Sequence, residues 1–221
     1  PGPRLIDKAD SRPRLRGLWL AECVANWTGI KTEGRRNAPP FLTDADWGTN
    51  PFPESPFLNV DFVLAQDPWQ ADDDTDIEYV YLHLLTEHAP VTRLSASQIA
   101  AGWILHCNHD IWVSNAAARA LMTYAGPQGG APGSLGALPP ATAFAQAFVP
   151  PSYADQSLMI DAQLTTELFG ALAPGLPGVA LDLADLPIRT TATGYSAHAA
   201  QFYVALYALA TQVDRSLPPE Q

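Results

Sequence analysis

Apolar residues recur along this chain at helical intervals, and no stretch alternates apolar and polar positions over six residues between turn signals. That pattern predicts helices rather than strands. The first helix is expected over Pro13–Asn26, where Leu15, Leu18, Trp19, Glu22 and Cys23 follow spacings of three and four. A second is expected over Asp74–His88, with Ile77, Val80, Tyr81, Leu84 and Leu85 as its stripe and Pro90 closing it. A third starts at Ser95 or Ser97, either of them a suitable N-cap, and carries Ile99, Trp103, Ile104 and Cys107 on one face. A fourth covers Asn115–Tyr124 and stops at Gly126. A fifth spans Tyr153–Leu172 and meets Pro174-Gly175. The last, Gly194–Val213, is apolar nearly all round, which predicts a central place in the core.

The punctuation between these segments fits the same picture. The 21 prolines and 15 glycines gather at 37–57, 126–140 and 174–178, and such clusters mark loops and breakers. The Gly/Pro/Ala-rich segment 126–150 reads as one long loop. The expected architecture is therefore all-α: an N-terminal tail over 1–12, one helical domain over 13–213 and a C-terminal tail over 214–221. A hydrophobic share of 47% in 221 residues suffices for one ordinary core.

Charge narrows the possible functions. Twelve Lys and Arg against 23 Asp and Glu give a net charge of -11. Binding to a phosphate backbone needs a basic stripe, so no nucleic-acid partner is expected. Docking on an anionic membrane surface is disfavoured for the same reason, whereas cation binding stays open. No apolar run approaches the ~20 residues of a membrane span, and Pro1-Gly2-Pro3-Arg4 shows no secretory h-region. Two cysteines, Cys23 and Cys107, make no disulfide framework. A reduced, cytoplasmic chain is the expectation.

Three constellations carry candidate chemistry. Ala71-Asp72-Asp73-Asp74-Thr75-Asp76 opens the second helix with four acids in five positions. A helix start favours one or two carboxylates; four repel one another unless something offsets them. A hard cation bound by carboxylate and hydroxyl oxygens would do so, and a solvated acidic cap is the alternative. Gly29-Ile30-Lys31-Thr32-Glu33-Gly34 places Glu33 on a tight loop, either aimed into a cleft or lying on the surface. His106-Cys107-Asn108-His109-Asp110 has residue types that suit a transition metal, but no second ligand cluster stands out along the chain. The histidines at this helix end read as partners of its last carbonyls, and Trp103 and Trp112 read as core. Ser196 and His198 are two apart on a helix and do not face each other, so they make no nucleophile–base pair.

Taken together, the acidic cluster and the Glu loop make the chain resemble the ADP-ribosylglycohydrolase family, from about Arg16 to Ala210. Arg16-Gly17-Leu18-Trp19-Leu20 through Gly29 and Glu33-Gly34 resembles the family's opening helix and loop. Asp72-Asp73-Asp74-Thr75 stands where the family carries its first metal motif. Ile160-Asp161-Ala162-Gln163-Leu164 through Gly170 and Ala173-Pro174-Gly175 resembles the segment lining the substrate's phosphate or ribose, and Gly194 onward resembles the core helix after it. The resemblance implies an all-α fold and hydrolysis of a glycosidic bond in an ADP-ribosyl or related ribosyl, nucleoside-like substrate. It implies Mg²⁺ as cofactor, two ions when the site is complete. By position, Asp72, Asp73, Asp74 and Thr75 become metal ligands, Glu33 and Asp74 catalytic residues, and Asp161, Gln163 and Gly170 substrate-binding residues.

The chain also departs from the family's pattern. Ala25-Asn26 replaces the Gly-Asp or Gly-Cys of the opening segment. Asp161 and Thr165 stand where Gly and Arg are usual, and Arg189-Thr190 where Ser-His is common. Apart from Asp72-Asp73-Asp74-Thr75 itself, no Asp-x-Asp-Thr string, the pattern of the family's second metal motif, occurs. Two expectations follow from the resemblance. In one, the chain is the N-terminal part of a glycohydrolase, completed by a second polypeptide or by a second copy packed on the apolar last helix. In the other, it is a lapsed pseudoenzyme or binding module on the same scaffold.

Overall fold

The computed structural model describes residues 7–29, 39–46, 48–49, 72–109, 111, 113–125 and 158–213. Helices dominate, and there is no strand among the described residues. The all-α expectation holds. In order they are α1 (Lys8–Gly29), a single 3-10 turn (Asp44–Asp46), α2 (Asp73–Glu87), α3 (Ala96–His106), α4 (Val113–Ala125), α5 (Asp161–Leu164), α6 (Glu167–Leu172), α7 (Pro177–Thr191) and α8 (Gly194–Ala210). Packing divides the chain into two compact units, Arg12–Asp72 and Pro1–Ser11 with Asp73–Gln221. No described helix is long and apolar enough to cross a membrane.

Among the described residues of Arg12–Asp72, α1 supplies most of the regular structure. It starts at Lys8, five residues before the expected Pro13 and inside the stretch read as a tail. The Asp7 carboxylate accepts the Ala9 N–H at 2.8 Å, which supplies a cap six residues upstream of the proline. Trp27 near its end is buried, while Leu15 and Leu20 stay exposed. In the 3-10 turn, the Asp46 carboxylate accepts the Thr43 N–H at 2.7 Å.

The second unit contains the core. Ile77, Tyr81 and Leu84 of α2 are fully buried, with Val80 and Leu85 packed against the same cluster. Ser95 caps α3 in a reciprocal box: its hydroxyl accepts the Gln98 N–H at 3.3 Å, and the Gln98 side chain accepts the Ser95 N–H at 2.8 Å. Trp103 then stacks obliquely on Tyr81, their ring centroids 6.3 Å apart. Arg119 of α4 closes the far end of α3. Its guanidinium donates to the carbonyls of Cys107 at 2.6 Å and Ile104 at 3.2 Å, satisfying acceptors that a helix end leaves open.

The expected fifth helix, Tyr153–Leu172, is not one helix in its described part. It breaks at the buried pair Thr165-Thr166 into α5 and α6. Both hydroxyls turn back onto carbonyls four residues earlier, Thr165 to Asp161 at 2.8 Å and Thr166 to Ala162 at 2.6 Å. Such side-chain bonds compete with helix continuation. The new start is supported from outside: Glu78 of α2, fully buried, accepts the Leu168 N–H at 2.7 Å.

Helix α7 is absent from the periodicity reading. The chain turns at Gly175, whose φ of 70° suits glycine and whose N–H reaches the Ala208 carbonyl at 2.8 Å. Pro177 then begins the helix, where its missing N–H costs nothing. Its buried positions, Ala180, Ala184, Pro187, Ile188 and Thr191, are mostly small, so the hydrophobic stripe is weak in sequence.

Helix α8 packs against α5, α6 and α7 and is central in that sense. It is not buried all round, as its composition suggested. Its buried face is the narrow line Ser196, Ala200, Val204 and Ala208, while Tyr195, Phe202, Leu206 and Leu209 are exposed. Small residues at intervals of four let α6 approach closely, which leaves the large side chains on the outer side. Segment 126–150 and the tail 214–221 lie outside the described residues.

Candidate functional site

The acidic run folds as expected at the start of α2. Asp73 is its first residue, and Asp73, Asp74 and Asp76 occupy the first turn, where the exposed N–H groups favour negative charge. Carboxylate oxygens of Asp72, Asp73 and Asp74 lie within 4.8 Å of one another. The Asp72 carboxylate accepts a hydrogen bond from the Asn26 side-chain amide. Thr75 is buried, and its Oγ1 has no hydrogen-bond partner among the described residues. A buried hydroxyl without a partner is costly, and a cation is one group that would satisfy it. The donor set is oxygen throughout, which suits Mg²⁺ or Ca²⁺ and not a soft metal.

Asp73 is held from α4. The Asn115 side-chain amide donates to Asp73 Oδ2 at 2.9 Å, and the Asn115 backbone N–H donates to Asp161 Oδ1 at 3.2 Å. Asn115 thus joins the first residue of α2 to the first of α5. The Asp161 carboxylate in turn satisfies a backbone N–H in the first turn of α4. Burial pushes the Asp161 carboxyl above the usual carboxylate range. The Ser114 hydroxyl and the Asn115 N–H oppose this, and the charge of Asp73 adds to it.

The structure therefore brings together the carboxylates of Asp72, Asp73 and Asp74, with Asp161 joined to Asp73 through Asn115, and it buries Thr75 as the next residue of α2. It treats the remaining candidates differently. Gln163 lies half-buried on α5. Gly170 is buried against α8, where a Cβ would meet Tyr207 Cβ at 2.7 Å and the Ala208 nitrogen at 3.0 Å, so its place is one of helix packing. Glu33 and Gly34 lie outside the described residues. Ser196 donates to the Thr193 carbonyl at 3.0 Å and is buried, while His198 is exposed, in keeping with the absence of a nucleophile–base pair.

Ser114 and Asn115 are the site residues that sequence reasoning missed. Their available signal was a Ser-Asn pair entering a helix, which reads as ordinary capping. No curated protein and no solved structure matches the chain. The family model of the ADP-ribosylglycohydrolases matches residues 7–220, nearly the whole length, and the chain belongs to that family.

Proposed function

We propose that the chain is an Mg²⁺-dependent glycohydrolase-like protein that cleaves the glycosidic bond of an ADP-ribosyl or related ribosyl substrate. Membership of the family supports glycohydrolase-type function at the general level. The observation that carries the metal reading is the cluster of three carboxylates within 4.8 Å of one another, followed in the chain by the buried Thr75, whose hydroxyl has no hydrogen-bond partner among the described residues. Asp72, Asp73, Asp74 and Thr75 would hold the ion. When bound, Mg²⁺ supplies Lewis acidity and orientation of the ribose hydroxyls and of a water.

The residues of the chain do the rest. Hydrolysis breaks the bond from the anomeric carbon to the leaving atom and forms one to a water oxygen. The water gives up a proton, and the leaving group gains one. Asp74 and Glu33 are the carboxylates assigned to that proton traffic. Asn115 would position Asp73 for that role by holding its Oδ2.

Titration calorimetry with Mg²⁺ tests the reading, together with turnover of an ADP-ribosylated substrate. The wild type should give binding heat and metal-dependent turnover, and Asp73→Asn with Asp74→Asn should lose both. Equal heats from the two proteins would overturn the metal site. A second reading, a binding module on the same scaffold, is favoured by Asp161 and Thr165 standing where the family usually carries Gly and Arg. Mg²⁺ binding without turnover of any ribosyl substrate would select it.

A further inference from the structure

A second ligand cluster lies at the other end of α2. His83 and Glu87 are one helical turn apart, with His83 Nε2 3.9 Å from Glu87 Oε2. His106, the last residue of α3, packs edge-on against His83 with ring centroids 5.0 Å apart. One ligand atom from each of the three lies within 4.8 Å of the others, and all three residues are exposed. Sequence reading dismisses His106 as a metal ligand because its partners lie about twenty residues upstream, on another helix. Folding supplies them.

We propose that His83, Glu87 and His106 form a surface site for a borderline transition metal, Zn²⁺ by preference, which staples α2 to the end of α3. Two imidazoles and one carboxylate are a donor set for Zn²⁺, Ni²⁺ or Cu²⁺ and a poor one for Mg²⁺. Zinc–ligand bonds of ~2.0–2.2 Å place tetrahedral donors roughly 3.4 Å apart. The His83–Glu87 separation of 3.9 Å is close to that value, and all three side chains are exposed and so able to rotate toward a common ion. Glu87 and His106 each close their helix, so the cation would sit beside two C-terminal ends that carry partial negative charge. Three protein ligands leave a position open for water or an external ligand. The cluster is also separate from the acidic run. Glu87 stands fourteen positions after Asp73 along α2, a rise of roughly 21 Å.

The test is Zn²⁺ titration of the full chain against a chromophoric competitor, with excess Mg²⁺ present to occupy hard-cation sites. The wild type should bind one Zn²⁺ and unfold at a higher temperature with it than without. His83→Ala and His106→Ala should each weaken binding by at least ~10-fold, since even supporting groups around a metal contribute that much. Both should also lose the thermal shift. Asp73→Asn with Asp74→Asn should leave Zn²⁺ affinity unchanged, which keeps this site distinct from the proposed Mg²⁺ site. Absence of Zn²⁺ binding, or equal affinity in the wild type and both histidine variants, overturns the proposal.

Discussion

Replacing Gly170 by alanine adds one methyl group where α6 packs directly on α8. That methyl would meet the carbonyl oxygen of Val204, Tyr207 Cβ at 2.7 Å and the Ala208 nitrogen at 3.0 Å. Two of the three obstacles are main chain of α8, which cannot rotate aside as a side-chain end can. Overpacking of this kind costs about 1–3 kcal/mol, and the rigidity of the obstacle puts Gly170→Ala toward the upper part of that range. Alanine in the interior of α6 returns up to ~1 kcal/mol of helix propensity. The net expectation is a loss of about 1–2 kcal/mol. At ~2–4 °C per kcal/mol for a chain of this size, Tm should fall by roughly 2–8 °C. Gly178→Ala is the matched control. It lies in the first turn of α7 with nothing within 4 Å of its added Cβ, so it should leave Tm unchanged or raise it. Thermal unfolding followed by circular dichroism reads both. Gly170→Ala as stable as the wild type would show that α6 and α8 do not pack as described.

Three further substitutions probe a buried carboxylate, Glu78, and a half-buried one, Glu167. Glu78→Ala should cost at least ~1–3 kcal/mol, because it strands the Leu168 N–H inside the core. Glu78→Gln keeps an acceptor and should cost less, and equal losses in urea unfolding would argue against the capping contact. Glu167 is pushed above its ordinary value of 4.5 by burial, against the opposing hydrogen bond from Tyr207. A carboxyl whose folded pKa is raised binds its proton more tightly when folded, so stability falls as pH rises from the ordinary value through the folded one. Glu167→Gln should therefore be more stable than the wild type at neutral pH, with the difference shrinking under acid conditions. A difference in Tm that does not change with pH would contradict this.

The elements legible in the sequence were those whose apolar residues are large. Helices α2 and α3 announce themselves through Ile77, Tyr81, Leu84, Ile99 and Trp103, all buried where the spacing places them. Helix α7 does not, because its core face is built from Ala180, Ala184 and Pro187, and two prolines read as breakers. The same preference for large residues misled the reading of α8. Phe202, Leu206 and Leu209 looked like core, yet the core is made by Ala200 and Ala208. Close helix approach selects the small side of a helix, and hydrophobicity alone does not reveal which side that is.

The candidate site was half legible for a related reason. A run of four acids is a local anomaly, and ligand oxygens of Asp72, Asp73 and Asp74 lie within 4.8 Å of one another. Asn115 is ordinary in its own segment and acquires its meaning from residues 42 and 46 positions away. Glu78 had a local signal, since it falls three residues before Tyr81 and seven before Leu85, on the buried side of α2. An acid at such a position has to meet a donor when the helix packs. The donor it meets is a backbone N–H that exists because α5 and α6 separate at Thr165-Thr166. The helix break and the buried acid thus explain each other, and neither can be inferred from its own stretch of sequence.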